Sequence, residues 1–404
     1  MTWWQRLKKN DLARFGITVL LLFYLAVIGA DFIAPYDPYV SEVDGSLLPP
    51  TQIYWRNLQG NWIGPHVYPT FQGPIDLETG SRELIVDRTE PSPLRLFVQG
   101  PEYRFLQLQV PLPTELDLPK PRIESISPLG ELPIRIPWIT NWSDLQVEIE
   151  QITLIPGIPS RLHLFGAQGP GRIHLLGTDS NARDEFSRLL FGGRISLSIG
   201  LLGVGITFPI GLLVGGISGY FGGWVDSVLM RLVEVMMSVP TIYLLVALSG
   251  IISPSLSSSE RFLIIVIITA FVNWAGLARV IRGQVLSIKQ REYVQAAKVM
   301  GGNALYIIVR HVLPQTATYV IIAATLAVPS FIASEALLSL IGLGIQQPDP
   351  SWGNMLSLAT NASILILQPW LIWPPAIMII LTVLSFNLLG DALRDALDPQ
   401  NLNS

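Results

Sequence analysis

The side chains that could do chemistry in this chain are few, and their spacing argues against an enzyme. His66, His163, His174 and His311 stand far apart, with no H-E-x-x-H or similar ligand spacing, so no metal site is expected. There is no cysteine, which excludes disulfides, iron–sulfur clusters and cysteine-bound zinc. Glu148 and Glu150 would share one face of an alternating strand, either as an acid–base pair of the glycosidase kind or as a solvated edge. GGNALY at 301–306 lacks the lysine of a phosphate-binding loop, and no G-x-S-x-G elbow occurs. The chain therefore shows no sign of an ATP site of its own, and no cofactor is expected. Glu335 lies deep in an apolar run, where a carboxylate is costly unless it is hydrogen-bonded or faces a water path. It suits a structural hydrogen bond or a proton relay. Asp226 and Glu234 sit nearer the end of such a run, within reach of water or a basic partner.

The elements that must hold these residues are membrane spans. Hydrophobic residues make up 50% of the 404 and charged residues 14%, with a mean hydropathy of +0.46. The net charge of -4 gives no reason to expect nucleic acid. Ile17 to Ala34 is long enough to cross the hydrocarbon core, and the basic flank of Arg6, Lys8, Lys9 and Arg14 places the N-terminus in the cytoplasm. A cleaved signal peptide ending near Ile28-Gly-Ala30 is the rival reading, against which the apolar run is long. Further spans are expected over about 195–220, 230–252, 262–280, 319–343 and 371–389, the third interrupted by Pro240. Six spans put both termini and the 282–314 loop in the cytoplasm, with Arg261 the one basic residue on the wrong side. Gly211, Gly215 and Gly219 recur every fourth residue, a spacing that lets helix backbones approach closely. Just before that span, Phe186, Leu189 and Leu190 would share one face of a short interfacial helix, leaving Arg183, Asp184 and Arg188 wet.

Between the first two spans the composition turns rich in proline and charge. Period-two alternation in 105–110 and 145–150, cut by frequent prolines, reads as short β-strands. Leu94-Arg-Leu-Phe-Val-Gln-Gly-Pro101 echoes Leu162-His-Leu-Phe-Gly-Ala-Gln-Gly-Pro170, as two β-units of similar plan would, or as chance would. The insertion would offer a docking surface or cover what lies beneath it. The fold class is thus an all-α polytopic membrane protein of six transmembrane helices, with a large β-rich extracytoplasmic insertion between helices 1 and 2. Its parts are 1–35, the insertion 36–175, and a core over 176–404.

Within that core, residues 282–314 form a polar, basic stretch between two spans. Gln284 to Met300 is a good helix former, Gly301-Gly302 ends it, Asn303 caps a second helix over 304–312, and Pro314 helps to stop that one. The expected product is a helix-turn-helix on the membrane face.

Gln295-Ala296-Ala297, then Gly301, then nine residues to His311-Val-Leu313-Pro314, resembles the EAA loop of the membrane subunits of bacterial ATP-binding-cassette importers. Gln295 stands where the pattern has Glu, and His311 where it has Ile. The flanks REYVQAA and VRHVLP, and the stretch from Leu176 to Ser196, are similar to the second permease subunit of dipeptide and oligopeptide importers. The resemblance implies that Gln295, Ala296, Ala297, Gly301, Leu313 and Pro314 couple the chain to an ATPase subunit. It further implies a homologous permease subunit, two ATPase subunits and an extracytoplasmic solute-binding protein as partners, in the lipid of a bacterial plasma membrane. Di- or oligopeptides would cross by alternating access. Nickel complexes and glycosides are alternative cargoes of the same family. A proton-coupled carrier using Glu335, and a membrane anchor whose outer domain binds, are rivals from other classes.

Overall fold

The computed structural model describes residues 3–43, 45–75, 82–105, 108–117, 146–250, 256 and 258–397. A short α1 (Trp3–Lys9) precedes α2 (Asp11–Ile28), which Asn10 caps by accepting hydrogen bonds from the amides of Leu12 and Ala13. After α3 (Ala30–Ile33) the chain leaves the helical body. β1 (Tyr54–Arg56), β2 (Trp62–Val67), β5 (Ser92–Phe105) and β8 (Ile158–Ala167) form one sheet in the order β1-β2-β5-β8. β3 (Thr70–Ile75) pairs with β4 (Arg82–Val86), and β6 (Leu108–Asp117) with β7 (Gln146–Ile155). The two echoing segments are not separate β-units. They are the antiparallel neighbours β5 and β8, with Leu94 opposite Ala167 and Leu96 opposite Phe165. Glu148 and Glu150 fall on β7, and the setting of their carboxylates lies outside the described residues, as do Leu106 and Gln107.

The helical body follows: α4 (Glu185–Phe221), α5 (Gly223–Ser238), α6 (Thr241–Ser249), α7 (Ser258–Ile288), α8 (Glu292–Val299), α9 (Ala304–Ile307), α10 (Ala317–Leu340), α11 (Trp352–Leu356), α12 (Ala362–Leu367) and α13 (Trp373–Leu397). Among the described residues, five helical runs are long and apolar enough to cross a membrane, and α5 with α6 makes a broken sixth candidate, bent by 84°. The break falls where Pro240 withholds an amide and pushes Val239 into extended backbone, φ -94° and ψ 127°. Trp352, fully buried, ties α2, α4, α10 and α13 into one core with Leu20, Leu197, Ile332 and Phe386.

The helical body departs from expectation at its entry and at Pro314. The interfacial helix and the span after it are one helix of 37 residues, and Arg183, Asp184 and Arg188 are buried rather than wet. Asp184 caps that helix, accepting from the Ser187 amide at 2.8 Å. Pro314, for its part, does not stop the second helix of the loop. α9 passes through a π-turn at Ile308–Val312 and a 3-10 turn at Leu313–Thr316 straight into α10. The wider turn absorbs the amide that proline lacks, so the helical path continues.

Candidate functional site

The 282–314 stretch is built onto the ends of α4 and α7. These two helices pack along the glycine stripe: a Cβ at Gly211 would lie 2.7 Å from Leu277 Cδ2, and one at Gly219 2.8 Å from the Arg282 carbonyl oxygen. Arg282 makes a two-pronged ion pair with Asp226 of α5, Nε to Oδ1 and Nη2 to Oδ2 both at 2.6 Å. This is the basic partner Asp226 requires; Glu234 finds its own in Arg231 at 2.9 Å, on the exposed side of α5. Lys289 donates to the Gly219 carbonyl at 2.7 Å and the Tyr220 carbonyl at 3.4 Å. A cation thus meets the carbonyls left over at the C-terminal end of α4.

The first helix of the loop is shorter than expected. α7 runs unbroken to Ile288, and α8 begins at Glu292 after a turn. Gln295 holds that turn, its amide donating to the Lys289 carbonyl at 2.7 Å, a bond that the Glu of the general pattern would not make. α8 ends in a Schellman cap: Gly301, at φ 86°, donates to the Lys298 carbonyl, and Gly302 to that of Ala297. Asn303 then caps α9, accepting from the Tyr306 amide at 2.7 Å.

The structure separates the six expected coupling residues into two groups. Gln295, Ala296, Gly301 and Pro314 are exposed. Ala297 is 5% exposed and packs with Val294, Ile288 and Ile307, while Leu313 lies half-buried against the same cluster. These two shape the loop from within. The outward surface also carries Val299 and Met300, 87% and 81% exposed, with Leu305 and Tyr306 beside them. These four put an apolar patch on the outer face of a polar loop. The sequence motif does not include these four, although unsatisfied apolar residues beside the Gly301 turn were a readable signal.

Above the loop, a cavity of about 190 Å³ opens between α4, α7 and α10, with Thr207, Asn273, Tyr319 and Ser330 among its lining residues. At the far end of the body two buried arginines act as clamps. Arg183 pairs with Asp179 at 2.6 Å, and Arg188 donates to the Pro38 and Pro348 carbonyls, each at 3.1 Å. Both also reach the Gln347 side chain. Burial of such charge is tolerable because each donor meets an acceptor. Glu335 is pinned nearby by three serines: Ser339 and Ser351 donate to Oε1 at 2.8 and 2.7 Å, and Ser196 to Oε2 at 3.4 Å.

Residues 209–402 match the family model described as the inner membrane component of binding-protein-dependent transport systems. Residues 2–50 match the N-terminal TM domain of oligopeptide transport permease C, and together the two stretches take in more than half of the chain. The chain belongs to this permease family. It is 41% identical over 180 residues to the oligopeptide transport system permease protein OppC of Escherichia coli, covering 45% of this chain and 57% of that one. It is 43% identical over 186 residues to the dipeptide transport system permease protein DppC of Bacillus subtilis, 46% of this chain and 55% of that one. The corresponding permease of Haemophilus influenzae shares 42% over 185 residues, 46% of this chain and 57% of that one. The matched stretch spans a little over half the length of these relatives. The permease is thus a multi-pass membrane protein of a transport family, not of an enzyme family.

The neck between α3 and α4 carries a pH-sensitive cluster. His174 is buried between two carboxylates, Nδ1 2.9 Å from Asp184 Oδ1 and Nε2 3.2 Å from Glu42 Oε2. Burial alone would lower its pKa, but the hydrogen bonds to Asp184 and Glu42 outweigh it and push the imidazole up to about 9. A raised folded-state pKa gives stability that is complete below the ordinary histidine value of about 6.5 and is lost as pH climbs toward 9. Thermal stability of the permease is therefore expected to fall between pH 7 and 9 by about 2 kcal/mol, and His174→Gln to flatten that decline. Melting curves across this range check it; an equal slope in the variant would refute the assignment.

Proposed function

We propose that the permease is one membrane-spanning subunit of an ATP-driven importer that moves di- or oligopeptides across a bacterial plasma membrane by alternating access. In this reading six spans, with α5 and α6 as one broken span, put both termini and the 282–314 loop in the cytoplasm. The partners are a homologous permease subunit, two ATPase subunits and an extracytoplasmic solute-binding protein. The peptide cargo rests on the names of the relatives, which are 41% and 43% identical over matched stretches of 180 and 186 residues. The observation that carries the coupling role is the exposed apolar surface around Met300, held rigidly by the Schellman cap and by Gln295. Such a patch has the character of a protein-docking face. Gln295, Ala296 and Gly301 frame it, Ala297 and Leu313 support it, and Pro314 joins it to α10.

The chain has no cysteine of its own, so single thiols report cleanly. A cysteine at Met300 or Ala296 is expected to cross-link to an ATPase subunit in native membranes, with a yield that changes when nucleotide is added. One at the buried Ala297 is expected to give little product. Thiols at Met300 and Ala296 that react from the cytoplasm yet capture no ATPase would overturn the proposal.

A further inference from the structure

The insertion meets the helical body at a point where its sheet breaks its own alternation. β5 and β8 keep one register from Leu94 opposite Ala167 to Gln99 opposite Leu162, yet Phe97 sits in the left-handed region at φ 56°. That conformation is uncommon for a bulky residue. Leu96 and Phe97, which a regular strand would send to opposite faces, are both exposed, 69% and 59%. Water is a poor reason to hold an aromatic side chain in a strained position.

What lies beside them supplies a better one. Phe97 stacks on Phe32 of α3, ring centroids 6.3 Å apart and planes 30° from parallel. His163 of β8 fixes the height of the sheet, its Nδ1 donating to the Ala34 carbonyl at the end of α3 at 2.7 Å. Immediately before α3, α2 exposes Leu21, Leu25 and Ile28 at helical spacing, on the face that a span turns to lipid. Phe32 continues that spacing. Asp31 meets Arg194 at 2.6 Å at the same level, the kind of paired charge that belongs where the hydrocarbon ends. The apolar stripe thus runs up α2, over Phe32 and across the fold boundary onto Phe97 and Leu96.

We propose that the Leu96–Phe97 corner of β5 is seated in the lipid leaflet on the insertion side, so that the insertion is anchored to the bilayer surface as well as to its connecting chain. The occupant is lipid because the patch continues a lipid-facing helix stripe without a break. Leu96 and Phe97 carry no polar group, so moving them from water into the acyl region is favourable. The β-sheet then rides at a fixed height over the membrane.

Spin labels on single cysteines test this in the assembled transporter, reconstituted in bilayers. Leu25→Cys serves as the lipid reference, and Phe97→Cys and Leu96→Cys are the two probes. Oxygen, which enters lipid, is expected to collide with both probes several-fold more often than a water-soluble nickel chelate does, as at Leu25. Frequent collision with the chelate would mean that the corner stands in water, and would overturn the proposal. Low access to both reagents would mean a protein partner covers it, and would overturn the proposal too. Leu96→Cys keeps the test decisive should Phe97→Cys disturb the turn.

Discussion

Gly215→Ala is expected to cost the permease about 3 kcal/mol of stability, at the upper part of the range for overpacking a close contact. The new Cβ would lie 2.5 Å from the Ala278 carbonyl oxygen and 2.9 Å from Ile281 Cβ. One of these is backbone, so no rotamer change relieves it, and α4 and α7 must part. Parting them loosens the footing of the 282–314 stretch, since Lys289 reaches its carbonyl partners at the end of α4 across this contact, and Arg282 reaches Asp226 in the first turn of α5, just beyond it. Gly205, on the same helix, has nothing within 4 Å of its Cβ position. Gly205→Ala is therefore expected to be neutral or mildly stabilising, because alanine is the better helix former. Thermal denaturation in detergent of the two variants side by side checks the pair. Equal melting temperatures would show that close approach of α4 and α7 is not what the stripe supplies.

Glu335→Ala should be of similar or larger effect, about 3–5 kcal/mol, because it empties a buried site and strands three hydroxyl donors at once. Those serines come from α4, α10 and the segment before α11, and each also accepts an amide: Ser196 from Trp352, Ser339 from Ile345, Ser351 from Asn354. The carboxylate is the common point of a junction that fixes the turn after α10. Glu335→Gln keeps the volume and one acceptor, so it should retain most of the stability. It should also retain transport. A proton carrier would lose its carrier with that substitution, whereas a permease driven by an ATPase would not. Transport abolished in a stably folded Glu335→Gln variant would bring the proton-coupled reading forward and count against ATP-driven import.

What could be read from the sequence was whatever depends on neighbours along the chain. Asn303 caps α9, Gly301 ends α8 and Pro240 breaks the third apolar run because capping, left-handed turns and missing amides are local properties. The glycine stripe was legible for the same reason, its period being that of one helix. Arg183 and Arg188 were misjudged as wet because their acceptors lie elsewhere: Pro38 and Pro348 are some 150 and 160 residues from Arg188. A charge beside an apolar run reads as solvated until such partners are known. Pro314 was misjudged differently. Proline ends many helices, but here a π-turn and a 3-10 turn carry the helical path past it. Which outcome wins depends on packing of Ile307, Ile308 and Val312, all buried, and no local pattern encodes that.

The π-turn has a mechanical meaning. Had Pro314 severed the helix, the segment from Asn303 would hang from α10 by a hinge, and a push on it would dissipate in bending. Instead the 37 residues from Ala304 to Leu340 form one shaft, on the order of 50 Å long at the usual helical rise. Its near end is buttressed against α7, and α7 is locked to α4. The path is helical but not uniform, since Pro329 removes a second amide midway along α10, so a sideways load applied at Met300 reaches Glu335 and its serines only by way of that point.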